Sequence, residues 1–183
     1  KREDRFILVT MAAGLTCDRI QDMLDLDCPV IRMMPNTPAA IGAGVVQYCG
    51  QEVTMDELDS FAALIAPAGL VDPVPEGLID AASAVSGCGP AFAYLFVEAL
   101  ADGGVACGLP RDKALSYAAQ MLAGSARMVL EGGKHPGALK DAVCSPGGTT
   151  IQGVRVLEER GFRAAAMDAV IAAYEKTVKL AKK

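Results

Sequence analysis

The chain has 183 residues, a formal net charge of -5 and 52% apolar residues, which is enough apolar sequence for one large folded domain or two small ones. Its 17 basic residues stand against 22 acidic ones, and aromatic residues make up 5% of the chain. These values exclude the basic surface typical of a nucleic-acid-binding protein, so we expect no nucleic-acid partner.

Cysteine and histidine usage indicates reduced thiols and no metal site. The six cysteines show no Cys-x-x-Cys spacing and no secretory segment is recognisable, so we expect buried, reduced thiols in a cytoplasmic protein. Because His135 is the single histidine and the thiols are scattered, we expect no protein-bound metal. The chain enters an apolar run almost at once, so we also expect it to be part of a longer protein.

The longest apolar stretch covers residues 91–101 and contains Glu98. It is shorter than the roughly 20 residues that cross a bilayer. We therefore expect a buried helix here and no association with a membrane.

The first part of the chain predicts alternating strands and helices. Residues 6–12 and 30–34 are near-continuous apolar runs, typical of strands covered on both faces of a parallel sheet. Between them, Thr16 precedes a segment with apolar residues at helical spacing. The pattern predicts a strand, a helix and a strand joined by a right-handed crossover.

Residues 44–48 and 70–74 predict two further short strands on either side of a helix. Thr54 and Glu57 have the spacing of a capping box that opens this helix. Its buried face is expected to consist of Leu58, Phe61, Leu64 and Ile65.

Pro73 and Pro75 are expected to end the part that contains strands, because proline cannot donate in a central ladder. We therefore predict a domain boundary near residue 75, with an all-helical second half. Helices are predicted over residues 78–85, 90–107, 111–131, 151–160 and 164–182.

The helix over residues 90–107 is apolar on nearly all sides, so it needs cover in every direction. A module of roughly 100 residues struggles to surround one helix completely. We therefore hypothesise that a second copy supplies part of the cover and that the protein is a helical homodimer or a larger homo-oligomer.

The most informative segment for chemistry runs over residues 144–152, where two glycines lead into two threonines at a helix start. Backbone N-H groups at a helix start lack intrahelical acceptors and lie at the positive end of the macrodipole, so a carboxylate or phosphate can bind there. A capping box between Thr149 and Gln152 explains the same residues without a ligand.

Four smaller clusters follow strands or open helices. Residues 11–14 and 34–38 each follow a predicted strand, where α/β sheets bind ligands, although 34–38 also suits a plain turn. Residues 86–90 form a small-residue turn before a helix, and Cys88 there suits a small buried residue better than a catalytic thiolate because no base lies nearby in sequence. His135, before a proline, suits a structural role better than contact with a ligand.

In this order, the clusters closely resemble the pyrroline-5-carboxylate reductase family over essentially the whole chain. The motifs that carry the resemblance are Ala12-Ala13-Gly14, Met34-Pro35-Asn36-Thr37-Pro38, Ser86-Gly87-Cys88-Gly89-Pro90, residues 99–105, Gly108-Leu109-Pro110, His135-Pro136-Gly137 and residues 145–150.

The resemblance implies a Rossmann-like NADP-binding domain, of which residues 1–75 are the C-terminal part, followed by a helical dimerisation and substrate domain over residues 76–183. Each active site would be completed by a neighbouring subunit. The residues implied at the carboxylate of the cyclic imine are Ser145, Pro146, Gly147, Gly148, Thr149 and Thr150, with Thr150 in the catalytic position near the ring nitrogen. Those implied at the nicotinamide end of the cofactor are Ala12, Ala13, Gly14, Pro35, Asn36 and Thr37.

The implied reaction is NADPH-dependent reduction of 1-pyrroline-5-carboxylate to L-proline, the last step of proline biosynthesis. Two features depart from the family pattern: Cys88 replaces a serine, and the opening strand with its Gly-rich phosphate loop is absent. Because residues that would read the ribose phosphate are missing, NADH stays open as the cofactor.

Two alternatives to this reading remain. One is a dimerisation and substrate-binding module without activity of its own. The other is a hydroxy-acid dehydrogenase with a helical domain, although the lysine on which such enzymes rely is not recognisable here.

Overall fold

The computed structural model describes residues 4–25 and 27–181. The strands within these residues are β1 Leu8–Thr10, β2 Val30–Pro35, β3 Gly44–Gln51 and β4 Gly69–Pro73. The α-helices are α1 Cys17–Leu24, α2 Met55–Ile65, α3 Glu76–Ser86, α4 Gly89–Ala106, α5 Arg111–Gly132, α6 Pro136–Val143, α7 Thr149–Glu159 and α8 Phe162–Ala181. Short 3-10 helices cover Thr37–Ile41 and Ala66–Ala68.

The four strands form one mixed sheet in the order β1-β2-β3-β4. β1 pairs parallel with β2, and β3 pairs parallel with β4, which confirms the predicted strand-helix-strand unit. β2 and β3 are antiparallel, so the expectation of a parallel sheet is wrong at this junction. The eight residues 36–43 between them are too few for a parallel crossover, which needs a dozen or more.

Helix starts follow their sequence signals. The Thr16 hydroxyl accepts a hydrogen bond from Arg19 N at the start of α1. At the start of α2, Thr54 and Glu57 form the predicted reciprocal capping box. The expected buried face of α2 is wrong at Leu64, which is 78% exposed.

The chain divides into two compact units. The first contains the N-terminal part up to Pro90 together with the C-terminal residues from Asp168, and the second is Ala91–Met167. The largest fully buried side chains, which include Arg32, Ile31 and Ile79, all belong to the first unit. Its sheet and the helices on it therefore form a hydrophobic core that also encloses the charged side chain of Arg32.

The second unit is all-helical and has little core of its own. Among its described residues, the buried hydrophobic ones are three alanines, Ala101, Ala114 and Ala118. One pair of aromatic rings, Phe96 and Phe162, adds a contact with centroids 5.3 Å apart. Its large apolar side chains consequently remain in contact with solvent in the single chain.

The predicted helix over residues 90–107 corresponds to α4, but it is not buried in the single chain. Tyr94 and Leu95 are 61% and 68% exposed. The helical stretch Glu76–Ala106, which combines α3 and α4, is long and apolar enough by composition to cross a membrane. In the single chain, 11% of the most apolar window of this stretch is buried.

The other predicted elements appear with shifted ends, and one helix was missed. β1 is shorter than the apolar run that predicts it, because its pairing with β2 begins at Leu8 opposite Val30. Val9 on β1 is 45% exposed, so β1 is not covered on both faces. α6 was not predicted because it has only 8 residues and begins with Pro136 and Gly137, which usually indicate a turn.

All six cysteines are free. Cys17 and Cys28 are buried, whereas Cys107 is exposed and the others are half-buried. The expectation of buried thiols is therefore wrong for Cys107, which follows the last residue of α4.

We predict that Gly69→Ala destabilises the sheet. Gly69 has φ 129 and ψ -132, a backbone region that side chains avoid, at a cost of about 1–3 kcal/mol. A Cβ there would also lie 2.3 Å from the Gly44 carbonyl oxygen. Urea unfolding should show the loss. Gly77→Ala in α3 is the control, because nothing lies within 4 Å of a Cβ at Gly77; equal stability of the two variants would contradict the prediction.

We predict that Glu57 contributes an acid-sensitive part of the stability. The hydrogen bond from Arg5, followed by that from Thr54 N, lowers the pKa of Glu57 from 4.5 to about 2. This contribution is fully present above the unfolded pKa of 4.5 and is lost as the pH falls towards 2, because the unfolded state binds the proton first. Urea unfolding of the native chain and Glu57→Gln should differ most above pH 4.5 and converge near pH 2. The double variant with Glu57→Gln and Arg5→Gln is the control: between pH 2 and 4.5 its stability should depend on pH in the same way as that of Glu57→Gln alone.

Candidate functional site

Two of the predicted cofactor segments lie at one edge of the sheet. Ala12, Ala13 and Gly14 follow the carboxyl end of β1, and Pro35 to Thr37 form the carboxyl end of β2 and the turn beyond it. Because β1 and β2 are parallel neighbours, their carboxyl ends meet at the same edge. Gly14 is buried, Ala12 is half-buried and Ala13 is exposed, so small side chains and backbone line this part of the edge.

Asn36 organises the second of these segments. Its side-chain nitrogen donates to the Ser86 carbonyl oxygen at 3.0 Å, and its side-chain oxygen accepts from Val45 N at 2.9 Å. Both functions of the amide are therefore used within the protein. Asn36 can shape a ligand site by fixing the loop, while the exposed Thr37 presents its side chain to solvent.

Sequence reasoning missed a polar network beneath this loop. The buried Gln47 on β3 donates to the Ser86 hydroxyl at 2.8 Å, and the Ser86 hydroxyl also lies 3.0 Å from the Ala82 carbonyl oxygen. This network joins the sheet to the end of α3, where the turn over residues 86–90 begins. A glutamine inside the apolar run of β3 was the available sequence signal, since a buried amide needs partners.

The predicted anion-binding segment precedes α7 in the second unit. Gly148 is the N-cap of α7 and no side chain caps this helix start. Thr149 and Thr150 are the first two residues of α7. The alternative capping box with Gln152 is therefore wrong, and backbone donors of the first turn stay available to an anion.

Backbone conformation and close contacts explain why residues 147 and 148 of this segment are glycines. Gly147 has φ 70, the left-handed region that glycine enters at little cost. A Cβ on Gly148 would lie 2.3 Å from the Ser145 hydroxyl oxygen and 3.1 Å from its carbonyl oxygen. Ser145, Pro146, Gly147, Thr149 and Thr150 are exposed, and Gly148 is half-buried. The N-terminal end of α7 is therefore accessible from solvent.

His135 and Cys88 have local structural roles. His135 is the N-cap of α6, and its Nδ1 accepts from Gly137 N at 3.0 Å, which agrees with the structural interpretation of this residue. Cys88 is half-buried, and its backbone N-H donates to the Ser83 carbonyl oxygen at the end of α3.

A third cluster, in the first unit, was not foreseen. Cys17, Cys49 and Glu76 have their sulfur and carboxylate oxygen atoms within 4.8 Å of one another, and among the described residues this group could hold a metal ion. The buried Arg32 guanidinium lies 3.9 Å from the Glu76 carboxylate. Its positive charge opposes a cation at this position.

Comparison with known proteins identifies the family. The family model described as pyrroline-5-carboxylate reductase dimerisation matches residues 76–180. The chain is 47% identical over 181 residues to pyrroline-5-carboxylate reductase of Escherichia coli, covering 96% of this chain and 66% of that protein. It is 49% identical over 175 residues to the Arabidopsis thaliana enzyme of the same name, covering 95% of this chain and 63% of that protein. The chain thus spans somewhat less than two thirds of the length of these relatives.

Solved structures agree with the sequence comparison. The NADP-bound crystal structure of Plasmodium falciparum pyrroline carboxylate reductase matches with a TM-score of 0.91 and 34% identity, over 96% of this chain and 71% of that one. Both the sheet-containing part and the helical part of the fold are therefore those of these reductases. The chain belongs to the pyrroline-5-carboxylate reductase family.

Proposed function

We propose that this protein reduces 1-pyrroline-5-carboxylate to L-proline with NADPH, the last step of proline biosynthesis, in the cytoplasm. The observation that carries the proposal is the start of α7, which is bounded by two glycines and has no side-chain cap. A small carboxylate is the ligand that suits such a helix start, and the substrate of the named relatives is an amino-acid-like acid.

The segment from Ser145 to Thr150 would bind the carboxylate through backbone N-H groups of the first turn of α7. This mode of binding uses the helix dipole and needs no cationic side chain. Thr150, the second residue of α7, would place its hydroxyl near the ring nitrogen of the imine. A threonine hydroxyl is a poor general acid, so its role is to orient the ring, while the proton comes from solvent or is already on the imine.

The edge of the sheet fits the flat end of a nicotinamide cofactor, because small side chains at Ala12, Ala13 and Gly14 allow a ring to approach the backbone. Pro35, Asn36 and Thr37 would form the adjoining wall, with Asn36 held rigidly by Val45 and Ser86. When bound, NADPH supplies the hydride. The residues at this edge therefore need only hold the nicotinamide ring in a fixed orientation.

We further propose that the functional protein is a homodimer or a larger homo-oligomer built on the helical part. Two observations support this: the buried hydrophobic residues described in the second unit are three alanines, and α4 exposes Tyr94 and Leu95. A helical unit with so little buried apolar surface gains its stability from a partner. The matching family model is itself described as a dimerisation region.

We predict that Thr150→Ala lowers kcat/KM for NADPH-dependent reduction of the imine by about 10²-fold in the full-length protein, the effect of losing one aligned donor. Steady-state kinetics with varied imine would measure this. Ser60→Ala is the control, because it removes an exposed hydroxyl on α2 that donates to the Asp56 carbonyl oxygen one turn earlier in the same helix. Unchanged kinetics for Thr150→Ala would remove this residue from the site. Calorimetric binding of proline without turnover would favour a binding module over an enzyme.

We predict that Leu95→Glu on α4 shifts the protein from dimer or larger oligomer to monomer at micromolar concentration. A carboxylate placed in an apolar interface loses its hydration without gaining a partner. Sedimentation velocity would report the change, and circular dichroism would show that the helices remain. The control is Ile41→Glu, which changes an exposed apolar side chain outside the matched dimerisation region. A native protein that sediments as a monomer would refute the oligomer.

A further inference from the structure

The cluster of Cys17, Cys49 and Glu76 lies within the first compact unit, outside the segments assigned above to the substrate and the cofactor. Cys17 is the first residue of α1, Cys49 lies on β3 and Glu76 is the first residue of α3. The two sulfurs and a carboxylate oxygen lie within 4.8 Å of one another. Two thiols and one carboxylate from three separate elements of the fold therefore lie close together.

The two thiols differ in accessibility but share one opening. Cys17 is 1% exposed, whereas Cys49 is half-buried. Both line a pocket of about 340 Å³ that Glu76 and Tyr48 also line. Cys49 is therefore the more accessible of the two thiols that line this pocket.

The charges around the pair make the two thiols chemically unequal. A hydrogen bond from Cys17 lowers the pKa of the Cys49 thiol, and the positive charge of Arg32 adds to this effect, whereas burial and the Glu76 charge oppose it. Arg32 is the cross-strand partner of Cys49 in the β2-β3 ladder. The hydrogen bond with Cys49, burial and the neighbouring Glu76 raise the pKa of Cys17. The Cys49 thiol therefore ionises more readily than the Cys17 thiol, which stays protonated in the reduced protein.

The surroundings favour thiol chemistry over metal binding. A guanidinium beside the cluster stabilises a thiolate but repels a metal ion. A disulfide holds its sulfurs about 2.0 Å apart, and the two thiol sulfurs already lie within 4.8 Å of each other.

We propose that Cys49 and Cys17 form an oxidisable dithiol site whose reagent is a low-molecular-weight disulfide such as oxidised glutathione. The Cys49 thiolate attacks one sulfur of the reagent, breaks its S-S bond and releases one glutathione thiolate. Cys17 then attacks the Cys49 sulfur and releases the second glutathione thiolate, while its proton passes to the Glu76 carboxylate and from there to solvent. The two protein thiols are oxidised to one disulfide and the reagent is reduced to two thiols.

The test is a timed reaction of the reduced, metal-free protein with oxidised glutathione, followed by alkylation and peptide mass spectrometry. The native chain should yield a peptide pair joined through Cys17 and Cys49. Cys17→Ser should stop the reaction at a stable mixed disulfide between Cys49 and glutathione. Cys49→Ser should give neither product at these two positions.

Two cysteines outside the cluster serve as controls. Cys107→Ser removes an exposed thiol and should leave the Cys17-Cys49 link unchanged. The buried Cys28 should be alkylated only after unfolding, which shows that the protein stayed folded during the reaction. A native chain that forms no link between Cys17 and Cys49 overturns the proposal, as does a Cys17→Ser variant that carries glutathione elsewhere but not on Cys49.

Discussion

One buried guanidinium fixes the relative positions of three elements in the first unit. Arg32 on β2 is 1% exposed and bonds Asp80 of α3 at 2.5 Å. It also lies 3.9 Å from Glu76, whose carboxylate accepts from Cys17 N of α1 at 2.7 Å. A buried charge is costly unless it is paired, and removing one partner leaves it uncompensated. The sheet, α1 and α3 therefore have little freedom to shift against one another.

This constraint also determines the shape of the candidate cofactor edge. The start of α3 is held to β2 through Arg32, and its end is held to the sheet where Asn36 and Gln47 contact Ser86. Because α3 is tied at both ends, the turn after β2 has a fixed position at the sheet edge. Most groups that this edge offers a ligand are backbone atoms and small side chains, which can be precise only if the elements behind them are rigid.

Local patterns in the sequence predicted much of the secondary structure, but they did not predict the long-range polar contacts. The capping box at Thr54 and the strand-helix-strand unit depend on neighbouring residues, so the pattern carries the information. Arg32 and Gln47 interrupt apolar strands, and their partners lie 48 and 39 residues away. No local rule connects such residues. The cluster of Cys17 and Cys49 was missed for the same reason, because its sulfurs meet only through the fold.

The exposed α4 shows why an apolar pattern cannot by itself distinguish a membrane span from a subunit interface. Glu98 and Asp102 are exposed and four residues apart, which places them on the same face of the helix. Asp102 forms an ion pair with Arg111 at the start of α5. In a lipid environment a pair of carboxylates on one face would be expensive, whereas at a protein interface such a strip can remain in water while the apolar faces pack. The position of these two charges therefore favours a protein interface over lipid as the surroundings of α4.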